Sequence, residues 1–179
     1  MNAANYKDSL ILMARYNQWM NGKVLTLTAG LPEADLWADR GAFFKSVMGT
    51  LNHICVGDLL WLNRMRGLPG VGLLTALDDM ARPQALTEIL YSSVAEYSIA
   101  RPKLDDLFIA FIAALPVDAL DAPFDYHDSR GNPHHKTLGL VLTHVFNHQT
   151  HHRGQVTTLL NQMGHDVGVT DLHVMAPEL

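Results

Sequence analysis

Four of the ten histidines fall within nine consecutive residues, from His144 to His152. Apolar residues recur around them at helical spacing: Val141, Val145, Val156 and Leu159. This spacing predicts one long amphipathic helix, on which His144, His148 and His152 share a face because side chains four residues apart are neighbours. Imidazole is the commonest metal-binding side chain, so such a row indicates either a metal site or a costly set of buried polar groups.

Three further stretches have the same helical period, and each ends at a proline or glycine. The predicted long helices cover residues 5–29, 46–66, 84–115 and 137–163, with a short turn or helix at 32–37. The second helix should stop at residues 67–70. Thr137 is the expected N-cap of the last helix and Gly164 its left-handed C-cap. Pro102 lies inside the third helix and should kink or split it near residues 100–101.

The helical period is lost between residues 117 and 136. A short strand at 123–126 and a turn at 129–132 predict a small hairpin or irregular insertion before the last long helix. The fold class is therefore all-α: a single domain over residues 1–179, built as a four-helix bundle. Bundles of this kind hold metal sites between facing helices.

The composition argues against several classes of binding partner. The formal net charge is −5 and the 13 basic residues are scattered, which argues against nucleic acid because phosphate binding needs clustered Lys and Arg. The single cysteine, Cys55, excludes an internal disulfide and should pack as a small core residue. No signal-like segment and no apolar run of about 20 residues is present. We therefore expect a cytoplasmic protein with no membrane partner.

One ion cannot bind all three histidines of the row. His144 and His152 are about 12 Å apart along a helix, whereas Zn–N bonds are about 2 Å long. His53 is the only histidine in another predicted helix, near that helix's midpoint, where it should face residue 150 of the last helix. The predicted ligands are therefore His53, His148 and His152. Gly49 and Gly57 lie four residues on either side of His53, and they either leave space for an ion and a small ligand or allow close helix packing.

The neighbouring polar residues have expected roles of their own. We place His144 beside the ligands and His151 on the helix flank. Asp58 either orients a ligand or forms an ion pair with an arginine. Arg153 points away from His152, so an ion pair or interface role is favoured over substrate binding. Three aromatic residues are expected in the core or in a pocket wall: Tyr16, Trp19 and Trp61.

Two segments carry a family resemblance. Residues 51–53, with Asp58, Trp61 and Leu62 downstream, and residues 144–155 resemble the signature segments of the DinB family (DinB/YfiT-like). Residues 15–19 and 164–172 are also similar to that family. The resemblance implies an up-down-down-up four-helix bundle, a homodimer, and a divalent metal held by His53, His148 and His152. It thus implies the same three ligands as the helix geometry.

Three neutral histidines leave coordination positions open, which is typical of catalytic sites. A metal there lowers the pKa of bound water or thiol, or polarises a carbonyl. The resemblance implies thiol-dependent S-transfer or isomerisation of a small electrophile, with glutathione, mycothiol or bacillithiol as the thiol. His148-Gln149 stands where a zincin has His-Glu, so peptidase chemistry is disfavoured.

The identity of the metal and the role of the site stay open at this stage. Zinc or nickel is expected first, and iron or manganese next, because imidazole suits several of these ions. A hydrolase-like activity is a further form of the enzyme hypothesis. The alternatives to an enzyme are a non-catalytic metal-binding protein of stress or damage response, and a dimeric interaction module.

Overall fold

The computed structural model describes residues 3–68 and 72–177, and most of them are helical. The five α-helices are α1 (Ala3–Thr28), α2 (Glu33–Trp37), α3 (Val47–Arg64), α4 (Val94–Ala114) and α5 (Leu138–Gln162). Short 3-10 helices lie at Met65–Gly67, Gly72–Asp79, Val117–Leu120 and Leu172–Met175. Two strands, β1 (Pro123–His127) and β2 (Pro133–Thr137), complete the described elements. The sequence predicts that the second helix stops at residues 67–70. Of these, residues 69–70 lie outside the described part of the chain.

The caps predicted for the last helix are confirmed at both ends. Thr137 occupies the N-cap position of α5, although its side chain makes no capping hydrogen bond. Gly164 follows the last turn with φ +85°, and its N–H donates to the Asn161 carbonyl at 2.9 Å. The N–H of His165 donates to the Leu160 carbonyl at 2.9 Å. This pair of bonds is a Schellman motif, which needs the left-handed backbone that glycine adopts without strain.

The third long helix begins later than predicted, at Val94 instead of residue 84. Ser93 caps it by accepting the N–H of Glu96 at 3.2 Å, while the Glu96 carboxylate accepts the N–H of Ser92 at 2.8 Å. This is close to a capping box, and it determines the start of the helix. The helix runs without a break through Pro102, so of the two predicted alternatives, a kink or a split near residues 100–101, the split is wrong. Arg101 is held there by two buried ion pairs.

The insertion before α5 is a two-stranded antiparallel hairpin, as the sequence predicts. Pro123 pairs with Thr137 and Asp125 with His135. Gly131 takes φ +83° in the turn. Asp128 accepts the N–H groups of Arg130 and Asn132 at 2.8 and 2.9 Å. The hairpin therefore has its own turn chemistry and delivers the chain directly into α5.

The long helices pack so that α3 and α5 lie side by side, which positions the site. Helix α1 packs on α4 and on α5. The buried apolar core draws on all four long helices: Val24 of α1, Ile54 of α3, Phe111 of α4 and Leu160 of α5 are examples. Among the described residues, no helix combines the length and apolar character that a bilayer-spanning segment requires.

Candidate metal centre

The three histidines selected from the sequence converge between α3 and α5. Nε2 of His53 lies 3.0 Å from Nε2 of His148 and 3.2 Å from Nε2 of His152. One ring nitrogen from each residue falls within 4.8 Å of the others. His53 is buried, and the two histidines of α5 are half-buried. The structure thus brings together a cluster that could hold a metal ion.

Two of the three imidazoles are oriented by hydrogen bonds on their outer nitrogens. Nδ1 of His53 lies 2.9 Å from the Leu86 carbonyl oxygen, and Nδ1 of His152 lies 2.8 Å from Oε1 of Gln155. These oxygens only accept, so each Nδ1 carries the proton and donates it. The Nε2 lone pairs of His53 and His152 therefore face the common centre. Such outer hydrogen bonds are the usual means of orienting metal-binding histidines.

The electrostatics keep the cluster uncharged near neutral pH. Burial, followed by the neighbouring His152 and His53, lowers the pKa of His148 to about 3. Burial also lowers the pKa of His53 and the pKa of His152 from the ordinary value of 6.5. Neutral imidazole is the form that binds metal ions. The cluster therefore needs no deprotonation before it binds a cation.

The two glycines beside His53 leave room for other parts of the protein. A Cβ on Gly57 would lie 2.8 Å from Cε1 of His148, so the space there belongs to the His148 ring instead of an ion. A Cβ on Gly49 would overlap the carbonyl oxygen of Phe44. The close-packing alternative is therefore correct for Gly49, although the packed group is a loop backbone instead of a helix.

Phe44 is a residue of the site that the sequence analysis missed. Its ring stacks on His53 with a centroid distance of 3.8 Å and an interplanar angle of 17°. It meets His152 edge-on at 5.5 Å. Lys45 takes φ 69° directly before the Ser46 cap of α3, and this tight loop directs Phe44 toward the cluster. Phe44 covers one face of His53 and shields it from water.

The other two histidines between residues 144 and 152 do not join the cluster. His144 is exposed, with its ring 6.2 Å from His148 and 5.4 Å from the indole of Trp61. His144 thus lies beside the ligand His148, as expected, but its ring packs on Trp61 at the exposed end of the row. His151 is exposed on the flank as predicted and contacts His152 edge-on at 4.8 Å.

A buried ion-pair network lies behind the cluster. Arg101 donates to Asp58 at 2.6 Å and to Asp105 at 2.8 Å, which confirms the ion-pair alternative for Asp58. Arg153 is also buried, but its guanidinium lies over the Tyr16 ring at 5.4 Å and donates to Thr150 at 3.4 Å. The ion pair predicted for Arg153 is therefore not observed among the described residues, because an aromatic face takes the place of a carboxylate.

The remaining predicted wall and core residues are found as expected. Tyr16 and Cys55 are buried, and Trp19 and Trp61 are half-buried. Cys55 lies with its sulfur 3.6 Å from Nη1 of Arg101. Burial raises the pKa of its thiol to about 12, so the thiol is protonated at neutral pH.

Comparison with known proteins decides the family. The model of the DinB family matches residues 1–178 of the chain. The chain belongs to the DinB family. This DinB-family chain is 26% identical over 165 residues to Protein DinB of Bacillus subtilis (strain 168), and the alignment covers 92% of the chain and 91% of that protein. The resemblance carried by the residues around His53 and His148 is thereby confirmed.

Proposed function

We propose that this DinB-family protein binds a divalent transition metal through Nε2 of His53, His148 and His152. The observation that carries the proposal is the convergence of three imidazoles, with Nε2 of His53 3.0 Å from Nε2 of His148 and 3.2 Å from Nε2 of His152. The lone pairs of His53 and His152 have no proton between them, because the protons sit on the Nδ1 atoms. A proton on Nε2 of His148 could form a good hydrogen bond with only one of the two other Nε2 atoms. A cation at the centre satisfies all three.

The protonation equilibria favour a metal over a proton at this place. Burial first, and neighbouring histidines second, lower the pKa values of all three imidazoles, so a positive charge on any one ring is disfavoured. A metal ion draws on three lone pairs at once, which an added proton does not. Zinc and nickel are the first candidates, and iron and manganese follow. The donor set is chemically suited to any of these ions.

We further propose that the site is catalytic and acts on a small electrophilic substrate with a low-molecular-weight thiol. A divalent ion bound here supplies a Lewis acid that lowers the pKa of a coordinated thiol or water. The three imidazoles are neutral, so they leave the full charge of the ion to attract a thiolate. His53 and His152 are oriented by Leu86 and Gln155, and Phe44 excludes water from one side. No carboxylate joins the cluster among the described residues, which favours thiol-dependent S-transfer or isomerisation over base-assisted hydrolysis.

The proposed architecture is a single-domain four-helix bundle of α1, α3, α4 and α5 in up-down-down-up order. Its support is the family membership, together with the packing of α1 on α4 and of α3 on α5. The proposal also includes a cytoplasmic homodimer, for which the family resemblance is the support. Analytical ultracentrifugation tests the dimer directly.

The metal proposal is tested by elemental analysis and metal titration of matched single variants. We expect the wild-type protein to bind about one ion per chain, and His53→Ala or His148→Ala to weaken binding at least about tenfold, as loss of a ligand should. His144→Ala and His151→Ala are the controls, because both side chains are exposed on the same helix as His148. Equal affinity in His148→Ala and His144→Ala would overturn the proposal.

The catalytic proposal is tested by turnover of small electrophiles with and without added thiol. We expect turnover to require both the metal and the thiol, and to be lost in His148→Ala. A protein that binds metal but shows no thiol-dependent turnover with any of the three thiols would be the non-catalytic metal-binding protein instead. That result would contradict the catalytic proposal and leave the metal proposal standing.

A further inference from the structure

A line of aromatic and cationic side chains leads away from the candidate metal centre. Trp61 and Arg64 follow His53 and Gly57 on one face of α3, because steps of three and four residues keep side chains on the same side of a helix. His144 of α5 links them to the cluster through ring distances of 6.2 Å to His148 and 5.4 Å to Trp61.

This line ends at the hairpin. The ring of Tyr126 from β1 packs edge-on against Trp61 at 5.0 Å. We call Trp61, Arg64, Tyr126 and His144 the Arg64 strip. Its members are half-buried, except for His144, which is exposed. The strip is therefore partly exposed to solvent along its length.

The guanidinium of Arg64 lies against two aromatic rings, and its N–H groups donate to no other described residue. Its guanidinium carbon lies 4.5 Å from the centroid of Trp61 and 5.8 Å from that of Tyr126. Within residues 3–68 and 72–177, no hydrogen bond or ion pair of this guanidinium is found, whereas Arg66 pairs with Asp78 at 2.8 Å. Stacking uses the flat face of a guanidinium and leaves the N–H groups at its edge free. That edge is suited to a planar anion.

Among the described residues, the one carboxylate of the hairpin that acts on Arg64 is already engaged. Asp128 attracts Arg64 through space, but its carboxylate oxygens accept bonds from Asn132 at 2.9 Å and from His134 at 3.2 Å. Burial is the main influence on Arg64 and lowers its pKa. The cation is thus partly removed from water without a counter-ion in contact, and a bound anion would offset that cost.

We propose that Arg64 binds a carboxylate of the molecule that binds the metal centre through sulfur. This assignment rests on the proposed metal and thiol function, and it deepens that function by naming the charge and shape of the thiol. Arginine binds carboxylates through two parallel hydrogen bonds, which suits the free edge of the guanidinium. His53 and Arg64 are eleven residues apart, or about 16 Å along the axis of α3. The thiol is therefore elongated, with its carboxylate remote from its sulfur.

The test uses straight-chain thiols of increasing length, each with either a carboxylate or a hydroxyl at the far end. Binding to cobalt-loaded protein is followed by the absorption of the cobalt–thiolate bond. Mercaptooctanoate should bind at least about tenfold more tightly than mercaptooctanol, a ratio typical of a good charge-assisted contact. The short pair, mercaptopropionate and mercaptopropanol, should show no such difference because it does not reach Arg64.

Matched variants assign the difference to Arg64. The carboxylate preference should fall to about onefold in Arg64→Met, persist in part in Arg64→Lys, and remain intact in Arg82→Met. Arg82 is the control because it is exposed and pairs with Asp78 at 2.9 Å, away from the strip. An unchanged preference in Arg64→Met, or an equal preference in the short pair, would overturn the assignment.

A separate measurement keeps this assignment distinct from the metal proposal. In metal-free protein, benzoate should shift the indole N–H resonance of Trp61 in the wild type and in Arg82→Met, but not in Arg64→Met. If cobalt gives no thiolate absorption while benzoate still shifts this resonance, the metal–thiol proposal fails and the anion site stands. If thiols bind cobalt but benzoate leaves Trp61 unaffected, the anion site fails alone.

Discussion

Gln149 donates a hydrogen bond from its side-chain amide to the buried carboxylate of Asp58 at 2.5 Å. Each residue is next in sequence to a residue of the candidate centre, since Gln149 follows His148 and Asp58 follows Gly57. Arg101 holds the other oxygen of Asp58 at 2.6 Å. This bond therefore fixes the rotation of α5 against α3, and with it the direction of the His148 side chain.

Replacing Gln149 by leucine should weaken both the fold and the metal site. Asp58 would keep Arg101 but lose its second partner in a buried place, which costs about 1–3 kcal/mol of unfolding free energy. Metal affinity should fall as well, because α5 loses its rotational constraint. Urea denaturation and metal titration measure the two effects. Gln162→Leu is the control because Gln162 is exposed on the same helix, and equal behaviour of the two variants would contradict the role of the bond.

Gly57→Ala should damage the metal site without destabilising α3. The new Cβ would lie 2.8 Å from Cε1 of His148 and would displace that imidazole. Alanine favours the helical state by up to about 1 kcal/mol over glycine, which offsets part of the strain. We expect weaker metal binding with little change in thermal stability.

Gly154→Ala is the matched control for this substitution. Gly154 is exposed on α5, and nothing lies within 4 Å of its Cβ position. This variant should gain about 0.5–1 kcal/mol of stability and keep its metal affinity. A Gly57→Ala protein that binds metal as the wild type does would show that the His148 ring moves freely.

The metal-free protein should lose stability when the pH falls below about 6.5. The unfolded chain has His148 at its ordinary pKa of 6.5, whereas burial and neighbouring histidines lower the folded pKa to about 3. Between these values the unfolded chain binds a proton that the folded chain does not, so the unfolding free energy rises with pH across this window. Above the pKa of the unfolded chain, His148 is neutral in both states, and this loss of stability is absent.

Urea denaturation at a pH above about 7 and at a pH near 5 measures this dependence. His148→Gln should reduce it, because the variant has no imidazole to protonate at that position, while the lowered pKa values of His53 and His152 keep part of the dependence. His127→Gln is the control, since His127 is exposed in β1. The prediction fails if the wild type and His148→Gln lose the same stability on acidification.

Cys55 should be unreactive until the protein unfolds. Its side chain is fully buried and its thiol pKa is raised to about 12 by burial, while thiolate is the form that attacks disulfide reagents. Dithionitrobenzoate at neutral pH should therefore modify the native protein very slowly and the urea-unfolded protein at once. Rapid reaction of the native protein would place the thiol at the surface.

The histidine cluster could be predicted because it depends on the regular spacing of histidines along two helices. Four-residue spacing places His148 and His152 on one face of a helix, and the rise per residue excludes a third ligand from the same row. The position of His53 in its own helix then fixes which pair it meets. The caps at Thr137 and Gly164 follow from equally local preferences.

The parts that escaped prediction depend on irregular backbone and on tertiary contacts. Phe44 reaches His53 through a loop with a left-handed residue, where no periodic pattern exists. The late start of α4 is set by the Ser93 cap. The sequence before and after Ser93 has a similar helical pattern, so the pattern does not indicate where the helix begins. Arg153 is stabilised by an aromatic ring from α1, a contact that only the packing of α1 on α5 creates.

The hydrogen bond between His53 and the Leu86 carbonyl joins the candidate centre to a segment without regular structure, residues 80–92. Leu86 itself is 44% exposed, so this segment lies at the surface while its backbone orients a buried imidazole. An ion at the proposed centre would favour the placement in which the Leu86 carbonyl accepts from His53, so ion binding and this placement of residues 80–92 would reinforce each other. A protease that cuts within this surface segment would then distinguish the metal-loaded protein from the metal-free one, so the occupancy of the proposed centre would be readable from outside the molecule.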